Sequence, residues 1–484
     1  MPSPTERQSL NVQAERAVLA AVRLPESKYD PRDPFGELRD LAQQAGAQVV
    51  GEMSQRLERP VAGTCMGKGK IDELKALCEE LGASTIIFDH DLSPRQIGNI
   101  EKATLRKVVD RSELILDIFA ARATTAEAKL QIELAQLEYT YPRLRAMWSH
   151  LERIRGGVGT RGPGEMQLEI DRRLVADRKV ALKRELATIQ ARRRREVFAR
   201  KQEHFTVGIV GYTNAGKSTL FNSLTAGGAY ADDRLFATLT TRTREWSLGR
   251  GLSVMLSDTV GFVRDIPHHL VASFKATLEE ATHADMLLIL LDVSDPAAEL
   301  QYKAVTGVLD ELIEEVAHST HDEDRTWRPP TRHVLLNKVD RLADNSEVLL
   351  WQRRIPGAIP ICALPGGDRR GIAEVTDLVR DAARGAIEEF DVTVPLSDGK
   401  TITLIERQGE VLERSYDTER PDPAVTLRTH IGRRQLAMLQ SAGARIELAT
   451  AHGKGLRLDR EGRESPAPAA WGARLDGQSP GKRR

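Results

Sequence analysis

Phe205-Thr206-Val207-Gly208-Ile209-Val210-Gly211-Tyr212-Thr213-Asn214-Ala215-Gly216-Lys217-Ser218-Thr219 is the stretch on which the fold turns. Residues 206–210 are a short apolar run that reads as a buried strand, and 219–224 read as the start of a helix. Between them, Gly211 to Ser218 matches G-x-x-x-x-G-K-S. Glycines let the backbone wrap closely around phosphate. Successive N–H groups then point at the anion, and the following helix adds its positive end. In such a loop Lys217 carries charge to the β- and γ-phosphates and Ser218 offers a hydroxyl to Mg²⁺. A strand before and a helix after argue against a chance glycine turn.

Downstream, residues 253–256, 286–293, 333–336 and 359–361 read as further buried strands separated by helix-length segments. That is the pattern of a doubly wound, mostly parallel α/β sheet. Asp258-Thr259-Val260-Gly261 follows one strand, and an aspartate there can hold Mg²⁺ directly or through water. Gly261 lets a backbone N–H approach the γ-phosphate. Asn337-Lys338-Val339-Asp340 follows another strand. A carboxylate at Asp340 accepts from the N1–H and N2–H₂ edge of guanine, a donor pair that adenine lacks. Each motif alone is weak. The three in this order point to GTP binding and hydrolysis. Cys362-Ala363-Leu364 matches a base-contacting loop in which serine is usual. A further threonine is needed at Mg²⁺, and from chemistry alone Thr238, Thr240, Thr241 and Thr243 all qualify. Phe262 follows Gly261 where many small GTPases carry a water-positioning glutamine. A phenyl ring cannot orient water, so slow intrinsic turnover is expected.

Upstream, Leu130, Leu134, Leu137, Tyr141, Leu144, Trp148 and Leu151 are spaced 4-3-4-3-4-3, a heptad seam interrupted by Pro142. A second helix over 165–203 carries Leu168, Val175, Leu182, Leu186 and Ile189. Gly156–Gly164, rich in glycine, separates the two. The expectation is an antiparallel helical hairpin, roughly 40 Å long at 1.5 Å per residue, with a glycine-rich tip. Before it, strands at 48–50 and 85–88 alternate with helices at 71–81 and 94–105, which favours a small α/β domain. Gly63 to Lys68 is one residue short of a P-loop and reads as a tight turn. Beyond the sheet, 401–405 and 411–412 read as strands and 433–442 as a helix, giving a small α+β domain. The expected boundaries are 1–125, 126–204, 205–388, 389–451, and a disordered basic tail at 452–484.

The 484 residues carry 70 Lys+Arg and 70 Asp+Glu, so net charge identifies no partner. Local charge says more: 143–201 holds 17 basic against 7 acidic residues, and the tail from His452 holds 8 against 4. Such runs suit nucleic acid, although solvated helix faces share the pattern. Cys65, Cys78 and Cys362 form no CxxC pair, so no disulfide framework or zinc site is suggested. The longest apolar run, 286–291, is too short to span a bilayer. No apolar signal region opens the chain, so a soluble cytoplasmic protein is expected; the chain is read as a monomer.

The string GGVGTRGPGE at 156–165, with Gln167-Leu168-Glu169, Asp171-Arg172-Arg173, LFATL at 235–239 and DTVGF at 258–262, resembles the HflX family of translational GTPases. The likeness runs from about residue 15 to 451. It implies binding to the large ribosomal subunit near the peptidyl-transferase centre, and GTP-dependent splitting or rescue of stalled or idle ribosomes under stress. It selects Thr238 as the Mg²⁺ threonine and adds Phe236, Ala237 and Leu239 to the nucleotide site. Arginine and glycine at an extended tip suit phosphate contacts and tight RNA crevices, which makes Arg155, Gly157, Arg161 and Gly162 candidates for RNA contact. Lys217, Thr238 and Gly261 are then the catalytic set, and Ser218, Thr238 and Asp258 the metal set. Asn214 resembles the P-loop asparagine of GTPases that use K⁺, and a plain phosphate-loop hydrogen bond is the alternative. A rival reading makes the chain an RNA-remodelling or ribosome-assembly factor in which GTP only regulates.

Overall fold

The computed structural model describes residues 15–25, 32–154, 163–225, 241–249, 252–259, 261–264, 281–319, 327–364, 369–419, 421–441, 443–450, 455–458, 462 and 464–465. The chain divides into two compact units. The first holds 1–197, 207–244 and 256–371; the second holds 198–206, 245–255 and 372–484.

The first unit opens with a parallel α/β fold: β1 (Arg16–Arg23), α1 (Gly36–Gln44), β2 (Gln48–Arg56), α2 (Lys68–Glu80), β3 (Thr85–Phe88), α3 (Pro94–Thr104), β4 (Lys107–Asp110) and α4 (Arg111–Arg122). The sheet order is β2-β1-β3-β4, with every pair parallel. β1 escaped the sequence reading, although Ala17 to Val22 are wholly buried. Ser93 caps α3 in a reciprocal box with Gln96, and Asp110 caps α4. The Gly63–Lys68 segment is a turn: Val61 and Cys65 bridge, and Cys65 has φ 64°.

Next come α5 (Ala126–Ile154) and α6 (Pro163–Glu203). Leu134 packs with Leu182 and Leu186, flanked by Leu130 and Leu137, so the first part of the predicted seam packs α5 against α6; the side chains of Leu144, Trp148, Leu151 and Leu168 lie outside the described residues. Arg178 pairs with Glu133, and Lys179 and Lys183 with Glu138. The tip residues Arg155, Gly157, Arg161 and Gly162 lie outside the described residues.

A six-stranded sheet and its helices run through β5 (Thr206–Gly211), α7 (Lys217–Leu224), β6 (Arg242–Gly249), β7 (Leu252–Asp258), β8 (Met286–Asp292), α8 (Ala298–Ser319), β9 (Thr331–Asn337), α9 (Ser346–Arg354) and β10 (Ile359–Pro360). Its order is β10-β9-β8-β5-β7-β6, and β5-β8, β8-β9 and β9-β10 are parallel. β8 is buried along its whole length, as a strand covered on both faces must be. β6 was not expected. Its polar sequence hides buried Trp246 and Leu248 at period two.

The second unit contains α10 (Ile372–Arg384), β11 (Ile387–Pro395), α11 (Gly399–Gln408), β12 (Glu410–Asp417), β13 (Ala424–Gly432), α12 (Arg433–Ser441), β14 (Glu447–Thr450), β15 (Gly455–Leu458) and β16 (Glu464–Ser465). The sheet order is β12-β13-β11-β14-β15-β16. Two expectations fail here. Residues 401–405 are helix, not strand. Their β-branched side chains suggest a strand, but the Asp398 carboxylate accepts from the Thr401 N–H (3.2 Å) and hydroxyl (2.7 Å) and starts a helix. Thr401 and Ile405 then lie one turn apart, both buried. The tail is not wholly irregular either, since β15 and β16 extend the sheet and Leu458 joins the core. At the opposite edge, β12 carries a register shift between Val411 and Glu413.

Candidate functional site

Gly211 ends β5 and Lys217 begins α7, so the intervening loop sits at the carboxyl end of a central strand. Asn214 has φ 61° and Gly216 φ 94°. A side chain at Gly216 would place its Cβ 2.4 Å from Asn337 Nδ2, so both conformation and space demand glycine. Asn337 Nδ2 donates to the Ala215 carbonyl at 2.7 Å, and its Oδ1 accepts from the Ala363 N–H at 3.2 Å. One buried amide therefore joins three of the predicted segments: phosphate loop, Asn337–Asp340 and Cys362–Leu364.

Ser218 Oγ donates to Asp258 Oδ2 at 2.8 Å, which brings together two of the three predicted metal-binding residues. Lys217 is buried and donates to the Tyr212 carbonyl at 2.7 Å. Burial pulls its ammonium down to about 8, partly offset by the Asp258 charge. Gly261 lies flush with the loop: a Cβ there would come within 2.8 Å of Thr213 Cγ2 and 3.0 Å of Lys217 Nζ. Phe262 is buried, donates its N–H to the Gly211 carbonyl at 3.1 Å and accepts from the Thr213 N–H at 2.8 Å. Its ring is packing, not a water ligand. Thr259 is buried, with its hydroxyl donating to the Ile209 carbonyl at 2.7 Å.

On the base side, Lys338 has φ 63° and pairs with Asp292 at 2.7 Å. Val339 to Arg341 form a short 3-10 turn that presents Asp340 to solvent. Cys362 is buried, its N–H donating to the Arg370 carbonyl at 3.1 Å, and Leu364 is exposed. Thr219 lies within α7. Thr243 lies in β6 with its hydroxyl 3.0 Å from Ser257 Oγ, which takes it away from the metal position. Phe236, Ala237, Thr238, Leu239, Thr240 and Val260 fall outside the described residues.

A buried charge cluster touches the same loop. Asp89 follows β3 and accepts from Arg23 (3.1 Å), Arg111 (2.8 Å) and Arg264 (3.4 Å). Glu37 pairs with Arg111 (2.6 Å) and Arg264 (3.3 Å) and accepts from the Tyr212 hydroxyl (2.7 Å). The Arg264 N–H donates to that hydroxyl at 2.7 Å. Burial, then the Glu37 charge, holds the Tyr212 phenol well above its usual range. Arg23 ends β1 and Asp89 immediately follows β3, where the order of the first sheet reverses. That is the crevice in which open α/β sheets seat polar partners. The apolar core is likewise shared: Leu38 and Ile115 belong to one cluster with Tyr212 and Phe262.

Residues 32–120, 122–200 and 206–329 match family models described as GTP-binding GTPase N-terminal, GTP-binding GTPase Middle Region and 50S ribosome-binding GTPase. The chain is 41% identical over 418 residues to the GTPase HflX of Lacrimispora saccharolytica, covering 86% of this chain and 94% of that one. The chain belongs to the HflX GTPase family. It is also 38% identical over 388 residues to the GTPase HflX of Escherichia coli, covering 80% of this chain and 87% of that one. As an HflX-family GTPase it binds guanine nucleotide and hydrolyses GTP. Ser218 and Asp258 present the hard oxygen donors that Mg²⁺ prefers, so the residues present fit that ion. No helix among the described residues is long and apolar enough to cross a membrane. The HflX motifs were legible in the sequence, whereas Glu37, Asp89, Arg111 and Arg264 were not. The one local signal for Asp89 was a carboxylate closing the apolar run Ile86-Ile87-Phe88.

Proposed function

We propose that this GTPase acts on the large ribosomal subunit and splits or rescues stalled or idle ribosomes under stress. The observation that supports this most is the basic helical pair. α6 exposes Arg173, Arg184, Arg192 and Arg195 along one long element. Guanidinium groups on an extended rod suit the phosphates of folded RNA. The match of 206–329 to a family of 50S ribosome-binding GTPases agrees with such a partner. A cytoplasmic location follows from a ribosomal target.

In this reading Lys217 delivers its ammonium to the β- and γ-phosphates, leaving the Tyr212 carbonyl. Ser218, Thr238 and Asp258 would hold Mg²⁺, which supplies charge neutralisation at the phosphates. The Gly261 N–H faces the γ-phosphate and Asp340 reads guanine. Phe262 offers no hydrogen bond to water, so turnover waits on a partner that orders the site. The RNA contacts are assigned to Arg155, Gly157, Arg161 and Gly162.

Saturating large subunits are expected to raise GTP turnover at least about tenfold, in line with other partner-activated GTPases. Deleting 156–164 should abolish that rise with GDP affinity intact. Co-sedimentation with large subunits should favour a non-hydrolysable GTP analogue over GDP. Unchanged turnover with saturating subunits would sink the ribosomal reading, and stimulation that survives the deletion would show that the hairpin tip is not the contact that accelerates hydrolysis. The same assay in KCl and NaCl decides whether Asn214 serves a K⁺ ion, since equal rates exclude it.

A further inference from the structure

Asp292 closes β8, directly across the ladder from Asn337. Its Oδ2 holds Lys338 Nζ at 2.7 Å, and the side chains are 11% and 14% exposed. Its Oδ1 accepts from the Ser294 N–H (3.0 Å) and hydroxyl (2.6 Å). The Val293 N–H donates to the Asn337 carbonyl at 3.2 Å, which fixes the two strand ends to each other. Both carboxylate oxygens of Asp292 are thus occupied and its position is rigid.

Lys338 stands two residues before Asp340 in a left-handed conformation that lysine rarely adopts. Asp340 is exposed, and no group among the described residues bonds its carboxylate. An unheld ammonium on a four-carbon stem so close to a carboxylate would be drawn to it. A Lys338–Asp340 pair would occupy the acceptor that guanine needs, and nucleotide would have to break it. We propose that Asp292 is a positioning residue for guanine recognition: it holds the Lys338 ammonium away from Asp340 and keeps the base-reading carboxylate open. The inference rests on Asp340 as the guanine reader.

Asp292→Asn keeps the shape and removes the charge. Its Kd for GDP should rise about three- to tenfold, the range of an exposed to partly buried ion pair. Preference for GDP over IDP, which lacks the 2-amino donor, should shrink with it. Adding Lys338→Met to Asp292→Asn should restore GDP affinity to within about twofold of Lys338→Met alone, because no ammonium remains to compete. Thermal unfolding of each variant checks that the fold persists. Strictly additive losses, or an unchanged GDP-to-IDP preference in Asp292→Asn, overturn the proposal, because a purely structural role gives that result. Asp340→Asn is the control. It should lose GDP and gain XDP, whose C2 carbonyl suits an amide donor. If that exchange fails, the base-reading assignment is wrong and this inference falls with it. If it holds while the cycle is additive, Asp292 alone was misassigned.

Discussion

Replacing Asn337 with alanine is expected to weaken GDP binding by between about 30-fold and 10⁴-fold while the protein remains folded. Asn337 is buried and spends its amide on two backbone groups, the Ala215 carbonyl and the Ala363 N–H. Alanine leaves both without that partner. Each unsatisfied buried group costs about 1–3 kcal/mol, and each 1.4 kcal/mol is about tenfold in affinity. The loss falls on binding because the groups released belong to the phosphate loop and the base loop, which must be held together around one nucleotide. Isothermal titration with GDP measures it directly. A change under about threefold would mean that the two loops keep their places without the amide.

Asp89→Asn should produce the largest loss of stability. Asp89 is 3% exposed at its side chain and faces Arg23, Arg111 and Arg264. The amide keeps the volume but removes the charge that faces three guanidinium groups, of which Arg111 and Arg264 also pair with Glu37 while Arg23 also donates to the Pro34 carbonyl. Breaking a buried pair by removing one partner costs about 3–5 kcal/mol, which corresponds to a fall of about 10 °C in the unfolding midpoint of a domain this size. Because the cluster is buried, the deficit should persist in about 1 M salt, where surface pairs are screened. A midpoint within about 2 °C of the parent would show that the remaining contacts suffice. Since Tyr212 and Arg264 share the cluster, GDP affinity measured alongside reports whether the damage reaches the phosphate loop.

The contrast between these two sites explains what a sequence displays. The phosphate loop, Asp258–Gly261 and Asn337–Asp340 each lie within one turn of chain, so their chemistry appears as spaced letters. Strand burial made β5, β7, β8 and β9 readable for the same reason. The charge cluster is assembled from Arg23, Glu37, Asp89, Arg111 and Arg264, of which Glu37 and Arg264 lie 227 positions apart. No local pattern can announce such a convergence, because the first sheet and the phosphate loop must both fold before the charges meet. α11 shows the opposite failure. Its β-branched letters were locally persuasive, and a single capping aspartate outweighed them. β6 was hidden because only alternate residues face the core.

The register shift in β12 has a consequence for the protein as a solute. Among the described residues this strand is an outer strand of its sheet, with seven of its eight residues exposed. A flat edge would offer a row of unpaired amides to any passing extended chain, and so seed fibrils. The bulge between Val411 and Glu413, with Glu410, Glu413, Arg414 and Asp417 along the strand, breaks that row and charges it. The edge therefore resists aggregation at the crowded concentrations of a cell, even though Leu412 and Tyr416 are open to solvent there.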